Sequence, residues 1–123
     1  MSETMLNTGF EQFVAENLEH VRETCARRFD DTCRPWTKDP RYNRMFLREQ
    51  ERYANDLLRA RGYLFLNEVY EMLGMVKTKF GQVAGWTWRE NAKVEFNIPD
   101  MITLDDNLLK FNIDGVILDQ LKD

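Results

Sequence analysis

The residues of this chain that could do chemistry are few and scattered. Asp105, Asp106 and Asp114 carry carboxylates, the ligands that hard divalent cations prefer, so a small metal-assisted hydrolase is one hypothesis. Neighbouring carboxylates in a loop are more often exposed turn residues, and this is the interpretation we favour. His20 is the only histidine, and the sequence places no serine or cysteine so that it could form a catalytic pair with it.

The two cysteines do not indicate a metal site. Cys25 and Cys33 form no CxxC pair, and His20 cannot complete a four-ligand zinc set with them. Cys25 falls on the apolar side of a predicted helix, so we expect a buried free thiol. We predict no cofactor, no metal and no catalytic residue, and therefore a protein that is not an enzyme.

The strand-like segment FNIDGVILD, residues 111–119, carries the most specific chemical pattern. It resembles the first motif of haloacid-dehalogenase-type phosphatases, an apolar strand followed by DxDGV or DxDGT, whose first aspartate is the nucleophile. Asn112 stands at the nucleophile position here, and an amide cannot form the aspartyl-phosphate intermediate. We therefore expect a strand with an Asp114-Gly115 turn rather than a phosphatase site.

Five arginines on one face of a predicted helix are the best candidate binding surface. They project within about 80° of one another at 100° per residue, so they could follow phosphates at intervals of a helical turn. The alternative is an ordinary exposed face whose arginines pair with nearby acidic residues. The arginines are Arg41, Arg44, Arg48, Arg52 and Arg59.

Trp86 and Trp88 are the candidate aromatic contact. In an extended WTW run they share one strand face, which is either core or an exposed patch suited to a protein partner, and we favour core. Gly81 and Gly85 precede them in a spacing that matches no phosphate-binding loop, so close backbone packing is the simpler explanation.

The bulk composition predicts one folded, soluble domain. The chain has 123 residues, of which 43% are hydrophobic and 12% aromatic, which is untypical of a disordered chain. The net charge of −4 argues weakly against a general nucleic-acid binder, although residues 22–61 carry more basic than acidic side chains. No apolar stretch is long enough to cross a membrane and no signal pattern precedes the domain, so we expect a cytoplasmic protein without membrane contact.

Hydrophobic periodicity predicts an α+β fold, an N-terminal helical hairpin followed by a small, mainly antiparallel sheet with one short helix. We expect a single domain over 1–123, with a loose tail at 1–7, the hairpin at 8–62 and a small α+β part at 63–123. The first helix is predicted to begin at a Thr8–Glu11 capping box and to run to Phe29. The second is predicted over 40–61, between an Asp39 cap and Gly62.

The second half of the sequence favours short strands. We predict strands at 63–66, 86–88, 94–98, 109–113 and 116–118, from their apolar runs or alternation. Asn67 is predicted to cap a two-turn helix that ends at Gly74. The predicted second helix is apolar over almost half its girth, with Tyr42, Phe46, Tyr53 and Leu57 in one stripe and Leu47, Ala54 and Leu58 in another.

The block at 62–86 also carries a family resemblance. Its aromatic-apolar strand, its LNEVY-type helix ending in Leu-Gly and its TxxGxxxGW segment resemble a family of small uncharacterised proteins from bacteriophages, prophages and related mobile elements. The corresponding residues include Thr78, Gly81, Gly85 and Trp86. The resemblance implies no activity, but it implies an accessory role in such an element.

The leading hypothesis is a non-enzymatic interaction or assembly protein of a phage or mobile element. It would form a homo-oligomer through its helices and meet a protein partner on its C-terminal half. The alternative is an accessory nucleic-acid-binding protein that uses the arginine face, and the metal-assisted hydrolase is the third hypothesis. The first two differ in whether those arginines are free or already paired with acids.

Overall fold

Four helices and two small antiparallel sheets make up the fold. The computed structural model describes the backbone of residues 2–121 and the side chains of residues 9–119 and 121. The helices are α1 (Ser2–Glu16), α2 (Leu18–Cys25), α3 (Pro40–Arg61) and α4 (Leu66–Met72), and the strands are β1 (Arg27–Arg28), β2 (Tyr63–Phe65), β3 (Ala84–Thr87), β4 (Leu108–Leu109) and β5 (Gly115–Val116). One sheet pairs β1 with β4, and in the other β3 lies between β2 and β5. The predicted α+β class is confirmed, and the early helices are consistent with the predicted hairpin.

The first predicted helix differs most from the sequence expectation. It begins at Ser2 rather than at a Thr8 cap, so part of the predicted loose tail is helical. It breaks at Asn17 and ends at Cys25, and Arg27–Arg28 pair with Leu108–Leu109 as strands. The hydrophobic periodicity of the sequence extends past these breaks because Phe29 is buried. Phe29, however, reaches the core from the loop that follows β1 and not from a helix.

The second predicted helix is confirmed at both ends. The Asp39 carboxylate accepts hydrogen bonds from the backbone N–H groups of Arg41 and Tyr42, and Pro40 occupies the first turn, where its missing N–H costs nothing. Gly62 ends the helix with a φ of +89°, which only glycine adopts readily. These two signals fix the direction in which α3 leads into β2.

The block that gives the family resemblance is held by two close approaches. Asn67 does not cap α4. It lies inside the helix, where its side chain donates to the Thr78 carbonyl at 2.8 Å and accepts from the Thr78 N–H at 2.9 Å. A Cβ on Gly81 would collide with the Asn67 side chain, and a Cβ on Gly85 would collide with the Leu64 carbonyl. Both glycines are therefore required by close packing, as the sequence suggested.

The strand predicted at 94–98 is wrong as a strand but right in its burial pattern. Val94 and Phe96 are buried, yet their N–H groups bond to side chains of α3 instead of a neighbouring strand: Val94 to Asn55 at 2.8 Å and Phe96 to Glu51 at 2.8 Å. The strand predicted at 109–113 is likewise reduced to β4.

The last predicted strand is also misplaced. Asp114-Gly115 is not a turn between strands, because Gly115 lies within β5 and its backbone takes a φ of +134°. Leu118, expected in the strand, begins a 3₁₀ turn that runs to Leu121.

The core joins α3 to the C-terminal half. Its fully buried side chains include Leu47, Leu58, Leu64 and Phe96. Cys25 and Cys33 are buried free thiols as expected for Cys25, and burial raises the pKa of both. No helix within residues 2–121 is long and apolar enough to cross a membrane.

Candidate functional site

The solvent side of α3 has two chemically different edges. On its inner side Leu47, Ala54 and Leu58 are fully buried, as the second predicted stripe requires. Of the first predicted stripe, Phe46 and Leu57 are partly buried against the core, whereas Tyr42 and Tyr53 stay 48% and 53% exposed. These two tyrosines form what we call the apolar edge, and the arginines lie on the other edge, with exposed Met45 between the two.

A wide groove borders the arginine edge, with a volume of about 620 Å³. Arg48, Arg52 and Arg59 line it from α3. The segment that follows β3 lines it from the other side, and its members include Trp88 and Lys93. We call this depression the α3 groove. The structure therefore brings together three of the five predicted arginines and one of the two predicted tryptophans.

Arg41 and Arg44 lie outside the α3 groove. Arg41 is exposed in the first turn of α3, and Arg44 is partly buried, with an Nε atom that finds no hydrogen-bond partner among the described residues. The sequence analysis grouped all five arginines because a helical wheel gives only their angle around the helix axis. It does not show how far along α3 the groove extends. The contacts of the segment that follows β3 decide that limit.

Hydrogen bonds to α3 hold the second wall of the groove. The backbone N–H of Trp88 donates to the carbonyl of Gly62 at 2.8 Å, and this bond fixes the wall at the end of α3. At the other end of the wall the Asn55 amide donates to the Val94 carbonyl at 3.0 Å and accepts from its N–H. Because the same helix supplies the arginines and anchors the opposite wall, the groove is preorganised.

The groove arginines are only weakly engaged by acids. Arg48 lies 4.0 Å from Glu51, and Arg52 lies 3.5 Å from Glu49, with both arginine side chains more than half exposed. The Arg52–Glu49 pair is exposed on both sides, and such a pair contributes about 0.3–0.5 kcal/mol, so an incoming anion can displace Glu49 from Arg52. The Glu51 side chain is less exposed, at 19%, but it stands at the limit of ion-pair distance from Arg48. The Glu51 carboxylate is in addition occupied by the Phe96 N–H.

The guanidinium of Arg59 lies over an indole rather than beside an acid. Its Cζ is 6.0 Å from the centre of the Trp88 ring, and no ion pair of Arg59 is found among the described side chains. Four cationic side chains, those of Arg48, Arg52, Arg59 and Lys93, face two carboxylates, those of Glu51 and Asp56, around the groove. The groove thus has a positive balance in a chain whose net charge is −4.

The two candidate tryptophans have different environments. Trp86 is 2% exposed, and its indole N–H donates to the Asn112 side chain at 3.0 Å, so it belongs to the core. Trp88 is 44% exposed at the groove. The favoured expectation of core is therefore met by Trp86 and not by Trp88, which lies just beyond the end of β3 at Thr87.

The phosphatase-like segment is used for structure. The Asn112 side chain accepts from Trp86 and from the Glu95 N–H, and donates to the Lys93 carbonyl at 2.9 Å. The Asp114 carboxylate accepts from the Thr87 N–H and from both terminal nitrogens of Arg89. These bonds join 93–95, β3 and 112–114, and they account for both polar residues of the motif without catalysis.

The remaining candidate residues do not assemble. Asp105 and Asp106 are exposed in a loop where their N–H groups bond to the Thr103 hydroxyl, whereas Asp114 is paired with Arg89. Among the side chains that the structure describes, those of residues 9–119 and 121, no group of three or more from histidine, cysteine, aspartate or glutamate is arranged to hold a metal ion. His20 is exposed on α2, as a surface histidine.

Sequence reasoning missed Lys93 and Asn91 as groove residues. Lys93 directly precedes the strand predicted at 94–98, and neither it nor Asn91 was singled out. Asn91 adopts a φ of +68°, which turns the chain between Trp88 and Lys93. An exposed asparagine two residues before a lysine gives no indication of a binding site unless the arginines on the opposite wall are known.

Comparison with known proteins gives one match. A family model described as a family of unknown function (DUF6353) matches residues 4–121. No curated protein and no solved structure matches the chain. The expectation of an uncharacterised family is thus confirmed, and the match carries no information on a phage or mobile-element source.

Proposed function

Since the chain belongs to DUF6353, a family of unknown function, we propose its function from its own geometry: it is an accessory nucleic-acid-binding protein. It acts by binding alone, with no catalytic step. The accessory role in a phage or mobile element, which the resemblance at residues 62–86 implies, is part of this proposal.

The observation that carries the proposal is the state of the groove arginines. An arginine face that merely solubilises a helix pairs with its acids, and the sequence left this alternative open. Arg59 has no acidic partner among the described residues, Arg48 lies 4.0 Å from a Glu51 carboxylate that also accepts from the Phe96 N–H, and the pair of Arg52 with Glu49 is exposed on both sides. Guanidinium groups in this state can bind phosphate oxygens at little cost, and contacts to phosphate supply most non-specific affinity for nucleic acids.

The salt dependence of binding tests this proposal. If Arg48, Arg52, Arg59 and Lys93 each neutralise a phosphate, the logarithm of the association constant should fall with the logarithm of salt concentration with a slope of about −3 for a single strand. Fluorescence anisotropy of a labelled oligonucleotide between about 50 and 200 mM salt measures this slope. No binding at the lowest salt concentration would refute the proposal.

A second candidate function uses the apolar edge of α3. Tyr42 and Tyr53 are about half exposed, and α3 was expected to mediate self-association because its apolar girth exceeds what one neighbour can cover. A homo-oligomer that meets on this edge leaves the α3 groove accessible on the other side. Assembly and nucleic-acid binding are therefore compatible functions of one helix.

Light scattering tests the second candidate. We expect a dimer whose mass does not change with salt, because the apolar edge relies on burial of non-polar area rather than on charge. Tyr53→Glu should shift the mass to that of a monomer. A wild-type protein that is monomeric at all practical concentrations would rule out self-association.

A further inference from the structure

We propose that the α3 groove takes a single strand of nucleic acid, with one base stacked on the indole of Trp88. This inference rests on the proposed function and names the form of the nucleic acid. A double-stranded partner or an acidic peptide could use the same cations, but three further features of the groove favour a single strand.

The first feature is a half-exposed tryptophan at a site that is otherwise polar. Trp88 stays 44% exposed although Trp86, two residues earlier, is buried, and unlike the other exposed aromatic side chains it lines the α3 groove beside its cations. Its N–H is bonded to the Gly62 carbonyl, so the main chain that carries the ring is fixed in place. A fixed aromatic ring loses little entropy when a base stacks on it.

The second feature is the arrangement of cations around that ring. Arg48, Arg52 and Arg59 extend over about 16 Å along α3, since an α-helix rises 1.5 Å per residue. Arg59 lies against Trp88 itself, and Lys93 stands on the opposite wall. A strand that follows the arginines with its phosphates is thereby led to the indole, the combination of charged track and stacking ring that single-strand binding proteins use.

The third feature is the size of the groove. Its volume of about 620 Å³ is of the order of a small-ligand cleft and can hold only a short stretch of strand. A duplex keeps its bases stacked on one another, and unstacking a base costs a few kcal/mol. A duplex could therefore contact the arginines from outside but could not use Trp88.

The nature of the groove wall also argues against an acidic peptide. A peptide rich in carboxylates would be bound by the four cations, but it offers no flat ring for Trp88. Asn91 is exposed between Trp88 and Lys93, where its amide can donate to and accept from the edge of a base. The groove thus presents partners for phosphates, for a base plane and for a base edge.

The test compares a labelled single-stranded oligonucleotide with a hairpin duplex, using the full chain, at about 50 mM salt. Trp88→Ala should weaken single-strand binding about 10- to 100-fold, and Trp88→Phe should restore most of the affinity. Neither variant should change the slope of affinity against salt, because neither alters a charge. Phe13→Ala is the matched control, since Phe13 is a 59% exposed aromatic residue of α1 that does not line the groove.

The possible outcomes separate the two proposals. Single-strand binding that Trp88→Ala leaves unchanged, or a duplex that binds as tightly as the single strand, overturns the stacking inference but leaves nucleic-acid binding standing. Absence of binding to either form refutes the proposed function itself. Displacement of the oligonucleotide by equimolar poly-glutamate, together with an ineffective Trp88→Ala, would assign the groove to an acidic peptide instead. Melting curves of each variant establish that it is folded.

Discussion

A chain carrying both Arg52→Glu and Arg59→Glu is expected to bind a single-stranded oligonucleotide about 100-fold more weakly than the wild type at low salt. Each change removes a contact to phosphate and adds a repulsive charge in the α3 groove. The loss should shrink as salt is raised, because exposed charges are screened beyond about 8 Å at physiological ionic strength. Anisotropy titrations at several salt concentrations measure both effects.

Arg41→Glu provides the matched control for this charge reversal. Arg41 lies on the same helix and is exposed, but it stands outside the groove, about 10 Å along α3 from Arg48, the nearest groove arginine. At physiological ionic strength, where the screening length is about 8 Å, we expect it to leave the affinity within about twofold. If Arg41→Glu weakens binding as much per charge as the groove variants, the affinity reflects the charge of the whole protein and not the α3 groove.

The largest effect on stability is expected for Gly85→Ala. Gly85 lies in the central strand β3, paired with Phe65 on one side and Gly115 on the other, and a Cβ there would collide with the Leu64 carbonyl oxygen. Because that neighbour is backbone, the strands must separate. We expect a loss of about 3 kcal/mol or more and a melting temperature lower by about 10 °C, measured by circular dichroism.

Gly9→Ala is the control with the opposite sign. Gly9 lies within α1, and a Cβ there meets no atom of the described residues within 4 Å. Alanine in place of glycine in a helix stabilises it by about 0.5–1 kcal/mol, so the melting temperature should rise slightly. A Gly85→Ala protein as stable as the wild type would show that β2 and β3 are not held as closely as described.

Where local signals are strong, the sequence is sufficient to predict the structure. The Asp39 cap, Pro40 and Gly62 determine both ends of α3 by short-range hydrogen bonding and backbone conformation, and the structure agrees at each. Gly81 and Gly85 were correctly attributed to close packing. The ends of α3 are decided by interactions between residues close in sequence, and the two glycines are decided only by their lack of a side chain.

The misplaced elements share a different physical cause. Residues 94–96 alternate as a strand does, but the partners of their backbone are the side chains of Asn55 and Glu51, about 40 residues earlier in the chain. Alternation reports which side chains are buried and not what the N–H groups bind. The predicted end of the first helix is wrong for the same reason. Arg27 and Arg28 pair with β4 as a strand, although the burial pattern there continues that of the helix.

The groove could be predicted only in part. The arginine stripe on α3 follows from helical spacing alone. The positions of Trp88 and Lys93 opposite it depend on the end of β3 at Thr87 and on the bond from Trp88 to Gly62, which are tertiary features. The sequence therefore identified half of the surface and grouped with it two arginines that lie elsewhere.

The most direct test of the central claim is to map the binding site by nuclear magnetic resonance, adding a single-stranded oligonucleotide to isotope-labelled protein. We expect the amide resonances of residues 48–59 and 88–93 to shift, together with the indole N–H resonance of Trp88, while the indole N–H resonance of Trp86 stays in place. Shifts confined to the apolar edge around Tyr42 and Tyr53, or spread evenly over the basic residues of the chain, would contradict it.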